Sequence, residues 1–233
     1  MSAVVEVRGL RKIYPLDGNE VIALAGIDVA LAPGEFVAVM GPSGSGKSTF
    51  MQIVGLLDSP SAGTYRFEGN DVSTLHGDER ADIRSRRLGF VFQSYNLLSR
   101  TSALENVELP MVYAGVPESR RRQIAVEKME LVGVAHLQKH NPNQMSGGQQ
   151  QRVAIARSLV NDPGLILADE PTGALDTKSS ADVMQILQRL NREQGITIML
   201  VTHEPEVAAY ARRVVTFRDG RIVSDAQNVD RAA

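Results

Sequence analysis

The sequence has no cysteine, little net charge and no long uninterrupted apolar run among its 233 residues. The lack of cysteine excludes disulfides, thiolate nucleophiles and cysteine-ligated zinc. It weakly favours a cytosolic protein. The formal net charge of −2 and the pI near 6.1 provide no basic field, so we expect no nucleic-acid partner. The hydrophobic content of 43% is ample for the core of one compact domain.

No stretch reaches the roughly 18–20 uncharged apolar residues that a membrane-spanning helix needs. The most hydrophobic region is interrupted by Asp28, Glu35, Lys47 and Asp58. Residues 1–8 carry charges where a signal peptide needs an apolar segment, so we interpret them as leading into a first strand. We therefore expect any role at a membrane to depend on a partner protein.

A glycine-rich segment gives the first indication of chemistry. Residues 41–49 satisfy the pattern G-x-x-x-x-G-K-[ST], between an expected buried strand at 35–40 and an expected helix at 48–54. In such a loop, backbone N–H groups turn towards phosphate oxygens, Lys47 reaches the terminal phosphates and the Ser48 hydroxyl meets Mg²⁺. The residues predicted to bind a nucleoside triphosphate are Gly41, Pro42, Ser43, Gly44, Ser45, Gly46, Lys47, Ser48 and Thr49.

Two acidic residues follow an apolar run later in the chain. Residues 165–168 predict a core strand, and Asp169 and Glu170 come directly after it. Open α/β sheets bind ligands at the carboxyl ends of their strands. We therefore expect Asp169 to hold magnesium together with Ser48, and Glu170 to orient or deprotonate the water that attacks the γ-phosphate. Without the matching phosphate loop, such a pair would more often belong to an ordinary loop.

Two further polar residues end predicted core strands. Gln93 ends the strand expected at 88–92, where its amide oxygen could bring a ligand to the metal or the attacking water. His203 follows the strand expected at 196–201 and could contact the γ-phosphate. Taken alone, Gln93 is an ordinary polar strand end, and a lone histidine is more often structural or merely exposed.

A second glycine pair indicates a second anion-binding helix start. Ser146 is an expected N-cap, and Gly147 and Gly148 leave the first backbone N–H groups uncovered before Gln149. An ordinary glycine-rich helix start does not explain why one chain carries two such sites.

The order of strand and helix patterns predicts an α/β core with an inserted helical lobe. Before the phosphate loop, short β-rich runs at 4–7, 21–24 and 27–31 predict a sheet, and the segment around Tyr14 is too polar for a central strand. From residue 94 to 161 the periodicity is helical, with the clearest helices at 119–132 and 149–160. Further elements are expected as a strand at 63–70, helices at 76–87, 179–192 and 206–211, a hairpin at 214–223 and a frayed tail at 224–233.

These residues together resemble the ATP-binding cassette (ABC) ATPases. Residues 146–149 are similar to the family's signature motif, with Met145 where leucine is usual, and the likeness runs from Tyr14 to the closing hairpin in the family's order. The resemblance implies one domain, 1–233, with a P-loop NTPase (RecA-like) core and an N-terminal antiparallel β subdomain in 1–93 and 161–233, and a helical subdomain inserted at 94–160.

The resemblance also implies roles for the remaining residues. Tyr14 would stack on adenine, Gln93 would link the nucleotide to the transport partner, residues 173–176 would form an inter-subunit loop and His203 would act as a switch. In the family, two cassettes pair head to tail, so Ser146, Gly147, Gly148 and Gln149 of one copy would close on the γ-phosphate held by Lys47 of the other. The implied cofactors are ATP and Mg²⁺.

The implied partners are a second copy, in an ATP-dependent homodimer, and an integral membrane transporter subunit at the cytoplasmic face of the inner membrane. Residues 96–98, 110–115 and 171–176 resemble cassettes of the macrolide-export and lipoprotein-release type. A cell-division-type cassette and a soluble non-transport ABC ATPase are the alternatives.

Other classes fit less well. A DNA-repair cassette would need a long coiled coil between Thr49 and Ser146, where no sustained heptads occur. Translation-associated cassette proteins usually carry two cassettes, and a small-molecule kinase would share only the phosphate loop. Glutamate rather than glutamine at 170 argues against an inactive regulator.

Overall fold

The computed structural model describes residues 2–16 and 19–228. The strands there are β1 (Val5–Leu16), β2 (Asn19–Leu31), β3 (Phe36–Met40), β4 (Ala62–Phe67), β5 (Asn70–Asp71), β6 (Leu88–Phe92), β7 (Leu165–Asp169), β8 (Thr197–Val201), β9 (Arg213–Arg218) and β10 (Arg221–Gln227). The helices are α1 (Lys47–Val54), α2 (Gly77–Arg87), α3 (Ala103–Tyr113), α4 (Glu118–Leu131), α5 (Gly147–Leu159), α6 (Thr177–Gln194) and α7 (Pro205–Ala208), with 3₁₀ turns at Ala135–Leu137 and Pro142–Gln144.

The strands form two sheets. A four-stranded antiparallel sheet has the order β2-β1-β4-β5, and a six-stranded sheet has the order β10-β9-β3-β8-β7-β6. In the larger sheet, the strands from β9 to β6 are parallel and β10 pairs antiparallel at the edge. Since β3, β8 and β7 are neighbours and parallel, their carboxyl ends lie together at one edge of the sheet.

The central strands are apolar because both faces of the larger sheet are covered. Phe36 and Ala38 of β3 face a core shared with the helices, whereas Val37 and Val39 face a core shared with the antiparallel sheet and α1. The helices α3, α4 and α5 contact one another, and α5 also contacts β6 and α6. The helical lobe therefore rests on the face opposite the antiparallel sheet.

The predicted fold class is confirmed, and the differences concern element ends. Gly26, with φ of 100°, lets β2 run continuously through the two short strands expected there. The polar segment around Tyr14 belongs to β1, which beyond Arg11 pairs with β2 alone. α7 ends at Ala208, three residues before the expected end of the helix at 206–211.

The expectation that residues 224–227 fray is wrong. They belong to β10, whose backbone pairs with β9, and Asp225 accepts two hydrogen bonds of 2.6 Å from Arg213. Residues 229–233 of the expected tail lie outside the described residues. None of the helices in the described ranges combines the length and the apolar character that crossing a membrane requires.

Candidate nucleotide-binding site

The glycine-rich loop joins β3 to α1 and is shaped around the ammonium group of Lys47. Lys47 Nζ donates hydrogen bonds of 2.8 Å to the carbonyl oxygens of Gly41 and Pro42, and only 8% of the residue is exposed. The hydroxyl of Ser45 is buried there without a hydrogen-bond partner among the described residues. A lysine held inside a loop that opens at a helix N-terminus fits the predicted phosphate cradle.

The loop is braced from outside by two other elements. A Cβ added at Gly46 would lie 2.5 Å from Ala23 O in β2, and one added at Gly41 would lie 2.2 Å from Phe217 O in β9. Gly220 N, in the turn between β9 and β10, donates to Ser45 O at 3.0 Å. The glycines are therefore required by close backbone approach as well as by their positive φ angles of 99° and 147°.

Asp169 and Ser48 are the residues predicted to hold Mg²⁺ near this lysine. Burial, followed by the neighbouring Glu170 carboxylate, raises the pKa of Asp169, and the charge of Lys47 opposes the shift. The Ser48 side chain is exposed in the first turn of α1. Within residues 2–16 and 19–228, no cluster of three or more His, Cys, Asp or Glu residues forms a metal cage. A hydroxyl with one carboxylate fits Mg²⁺, which usually keeps waters and substrate phosphates as its other ligands.

Glu170 and His203 form a hydrogen-bonded pair across the ends of β7 and β8. His203 Nδ1 lies 2.7 Å from Glu170 Oε1, and Thr202 Oγ1 donates to Glu170 Oε2 at 3.3 Å. The Glu170 side chain is 18% exposed and that of His203 is 67% exposed. The hydrogen bond and the charge of Glu170 raise the pKa of His203. Both carboxylate oxygens are thus held in place.

Gln93 follows β6 at the same edge of the sheet. Phe92 is paired with Asp169 in the parallel register, so the amide of Gln93 emerges next to the strand that carries the two acids. The side chain lies against the loop after Glu170, since a Cβ added at Gly173 would be 2.7 Å from Gln93 Nε2. Its role as a ligand of the metal stays a prediction.

Tyr14 is anchored beside the helix that starts at the phosphate loop. Its hydroxyl donates to Asp58 Oδ2 at 2.8 Å, and Lys12 Nζ lies 4.8 Å from the ring centroid. Asp58 follows α1, whose first residue is Lys47. The structure therefore places Tyr14 beside the segment that follows α1, and its stacking on adenine stays a prediction.

The second glycine motif starts α5, and Ser146 is its N-cap, as predicted. Gln149 N donates to Ser146 Oγ at 3.3 Å, and Gln149 Oε1 accepts from Ser146 N at 2.9 Å, which completes a capping box. A Cβ added at Gly147 would lie 2.7 Å from the Tyr95 hydroxyl, and one added at Gly148 would lie 3.0 Å from Ser179 Oγ. Within one chain, this motif therefore contacts Tyr95 and Ser179, whereas the phosphate loop contacts β2 and β9.

Sequence reasoning missed Gln151. This residue is fully buried in α5, and its Nε2 donates to Phe92 O at 3.2 Å and to Pro171 O at 2.6 Å. It thereby joins the residue before Gln93 to the residue after Glu170. The only signal in the sequence is a glutamine that falls on the buried face of a helix. Thr202 was also missed, although it directly precedes His203.

Known proteins resemble this chain over most of its length. The family model described as "ABC transporter" matches residues 24–173. The macrolide export ATP-binding/permease protein MacB of Rhodopseudomonas palustris is 51% identical over 96% of this chain, which spans 34% of that relative. The uncharacterized ABC transporter ATP-binding protein YknY of Bacillus subtilis is 51% identical over 94% of this chain and 95% of its own length.

A solved structure shows the same fold. The dimeric structure of the ATP-binding cassette MJ0796, described as a post-hydrolysis state bound to ADP and Pi, has a TM-score of 0.88 and 41% sequence identity. The match covers 96% of this chain and 98% of that one. The family model, the full-length relative and the shared fold agree with the resemblance found in the sequence, and the chain belongs to the ABC transporter family as one of its ATP-binding cassettes.

Proposed function

We propose that the chain is the ATP-hydrolysing cassette of an ABC exporter, which pairs head to tail with a second copy on ATP and drives an integral membrane transporter subunit. The observation that carries the proposal is the Glu170 carboxylate, held by His203 and Thr202 at the sheet edge where the phosphate loop also opens. A fixed carboxylate beside a phosphate cradle is the arrangement that activates water for in-line attack on a γ-phosphate.

Each residue of the site has one task in this reaction. Lys47 exchanges the carbonyl oxygens of Gly41 and Pro42 for terminal phosphate oxygens, and Glu170 accepts the proton of the attacking water. Since Glu170 engages His203 Nδ1, Nε2 is the ring nitrogen left to donate to the γ-phosphate. Mg²⁺, when bound, would be held by Ser48, Asp169 and Gln93 and would neutralise charge on the phosphate oxygens.

The site is completed by a second copy of the chain. We place Ser146, Gly147, Gly148 and Gln149 of that copy on the γ-phosphate, with the loop at 173–176 between the subunits. The two glycine motifs contact different residues within one chain, which supports this arrangement, as does the dimeric state of the MJ0796 structure. We also propose that the helical subdomain is bounded by residues 94 and 160.

The membrane partner docks in a cleft between the core and the helical lobe. The cleft measures about 750 Å³ and is lined by Phe92, the residue before Gln93, and by the exposed Leu57 and Tyr113. Its other apolar lining includes Leu88, Phe90 and Leu109. The MacB relatives carry the word permease in their names, and this chain spans 34% of the R. palustris protein. We therefore propose a permease segment as the occupant, which places the cassette at the cytoplasmic face of the inner membrane.

The macrolide-export and lipoprotein-release type is favoured because the MacB relatives are 50% identical or more. A cell-division-type cassette is the alternative, since it works with the same partner architecture. Purification of the chain from membranes and identification of the bound integral membrane protein separates the two.

The catalytic proposal is tested by ATPase assays without added acceptor. We expect phosphate release by the unmodified chain, loss of phosphate binding and turnover in Lys47→Ala, and a fall in turnover per subunit on extreme dilution. Normal ATPase activity of Lys47→Ala would overturn the site assignment. Turnover per subunit that is independent of concentration would overturn the composite dimer, and activity only with an added acceptor would indicate a kinase.

A further inference from the structure

The ring of Tyr14 is held by two side chains that the proposed reaction does not use. The Tyr14 hydroxyl donates to Asp58 Oδ2 at 2.8 Å. Lys12 Nζ donates to the other oxygen, Asp58 Oδ1, at 2.7 Å and to Ser59 O at 2.8 Å, while it lies 4.8 Å from the Tyr14 ring centroid. The three side chains therefore form a closed arrangement in which every member contacts both others.

This cluster is shielded and remains charged. The side chains of Lys12 and Asp58 are only 13% and 29% exposed, unlike a freely solvated surface ion pair. Partial burial raises the pKa of Asp58, but the hydrogen bonds from Lys12 and Tyr14 outweigh this effect and lower it below the usual range. A carboxylate that stays ionised can accept from both donors at once.

The cluster connects the tyrosine to the phosphate loop. Lys12 and Tyr14 are two residues apart in β1, so both side chains leave the same face of the strand. Asp58 lies just beyond the C-terminal end of α1, and Lys47 begins that helix. Burial and the bond to Asp58 raise the pKa of Tyr14, and the side chain of Thr49, in the first turn of α1, partly opposes this shift. The orientation of the ring is thereby fixed relative to the element that holds the phosphates.

We propose that Asp58 and Lys12 are positioning residues for the nucleotide base. The bond to Asp58 fixes the position of the hydroxyl end of the Tyr14 side chain, and the ammonium of Lys12 occupies one face of the ring, so the opposite face stays available for stacking. Because the ring is already oriented before binding, the base does not have to order it. The inference rests on the proposed function, since it requires Tyr14 to contact the base of ATP.

Binding of ATP and of inorganic tripolyphosphate separates the two steps. We expect Asp58→Ala and Lys12→Met to weaken ATP binding about three- to tenfold, the size of one net hydrogen bond, with tripolyphosphate binding unchanged. Tyr14→Phe, which keeps the ring and loses the hydroxyl, is expected to behave like Asp58→Ala. The variant that combines Tyr14→Phe with Asp58→Ala should bind ATP no more weakly than either single variant, because both changes remove the same hydrogen bond.

Glu6→Ala is the matched control, since Glu6 accepts a 2.7 Å hydrogen bond from Arg8 two residues along the same strand. It should leave both ligands unaffected. If Tyr14→Ala leaves ATP binding unchanged, the base contact in the proposed function is wrong. If Tyr14→Ala weakens ATP binding but Asp58→Ala, Lys12→Met and Tyr14→Phe do not, the positioning inference alone is overturned. Equal losses for ATP and tripolyphosphate would also overturn it. Tyr14→Phe, which removes the same hydrogen bond without changing Asp58, provides the test if Asp58→Ala does not fold.

Discussion

Replacement of Gln151 by methionine tests whether a buried amide holds the catalytic edge of the sheet together. Methionine has a similar length and shape but offers no N–H group to Phe92 O or Pro171 O. Phe92 directly precedes Gln93, and Pro171 directly follows Glu170. The substitution therefore removes the link between Gln93, which we propose to connect the nucleotide to the partner, and Glu170, which we propose to activate water, and it leaves both residues in place.

The expected cost follows from the other bonds of the two carbonyls. Phe92 O also accepts from Tyr95 N at 3.2 Å, whereas Pro171 O has no second partner in the part of the chain that the structure describes. The variant thus leaves one buried carbonyl unsatisfied, which costs about 1–3 kcal/mol. It also removes Gln151 Oε1, a buried atom without a partner among the described residues, and this offsets part of the loss. We expect a net decrease of about 1–2 kcal/mol in the free energy of unfolding.

Thermal unfolding and ATPase kinetics measure the two consequences. For a domain of this size, each kcal/mol lowers Tm by about 2–4 °C. Turnover should fall while the KM for ATP stays near its original value, because the hydrogen bonds of Gln151 are made to Phe92 O and Pro171 O and not to the phosphate loop. Gln150→Met is the matched control, since Gln150 is half-buried and its amide donates a hydrogen bond of 3.1 Å to Met145 O, just before the start of its own helix. An unchanged Tm and an unchanged kcat for Gln151→Met would refute the reasoning.

Three further outcomes follow from the site. Glu170→Gln should bind ATP, lose turnover and elute as an ATP-bound dimer in gel filtration, because the amide keeps the shape but accepts no proton; a monomer with ATP would contradict this. An NMR titration should place the pKa of His203 above its ordinary value, and in Glu170→Gln it should fall. The stability that the His203–Glu170 pair adds to the fold should therefore be present below about pH 6.5, the ordinary pKa of histidine. It should be lost as the pH rises through the raised pKa of His203. Gly46→Ala should lower Tm by more than Gly115→Ala, since a Cβ meets Ala23 O at 2.5 Å in the first case and nothing within 4 Å in the second.

The central strands were predictable because their cause is local. β3, β7 and β8 are short apolar runs without polar alternation, a pattern typical of parallel strands that are buried on both faces of a sheet. α3 was harder to foresee as a separate helix, since Pro110 lies inside it, although Ser102 and Glu105 form a capping box at its start. The full length of β2 depends on Gly26, whose left-handed conformation keeps a strand continuous where the sequence suggests two.

The arrangement of the candidate site was predictable where a motif is contiguous, and it was not predictable where the supporting contacts come from elsewhere in the chain. The phosphate loop needs only its own nine residues and the elements on either side. By contrast, Thr202 meets Glu170, Asp58 meets Tyr14 and Gln151 meets Pro171 across 32, 44 and 20 positions. Each of these contacts depends on which strands become neighbours, and sheet order is not encoded in local patterns.

The backbone of Glu170 explains how two adjacent acids come to serve different partners. In a regular strand, neighbouring side chains point to opposite faces, which would send one carboxylate into the core. Glu170 instead has φ of 44°, a left-handed conformation that costs a non-glycine residue about 1–2 kcal/mol, and its N–H donates to Val201 O at 2.9 Å. The left-handed conformation ends β7 at Asp169, whose pKa is raised by burial against the opposing charge of Lys47, and the Glu170 carboxylate lies along the edge against His203. The strained residue thus separates the group suited to hold a cation from the group suited to accept a proton.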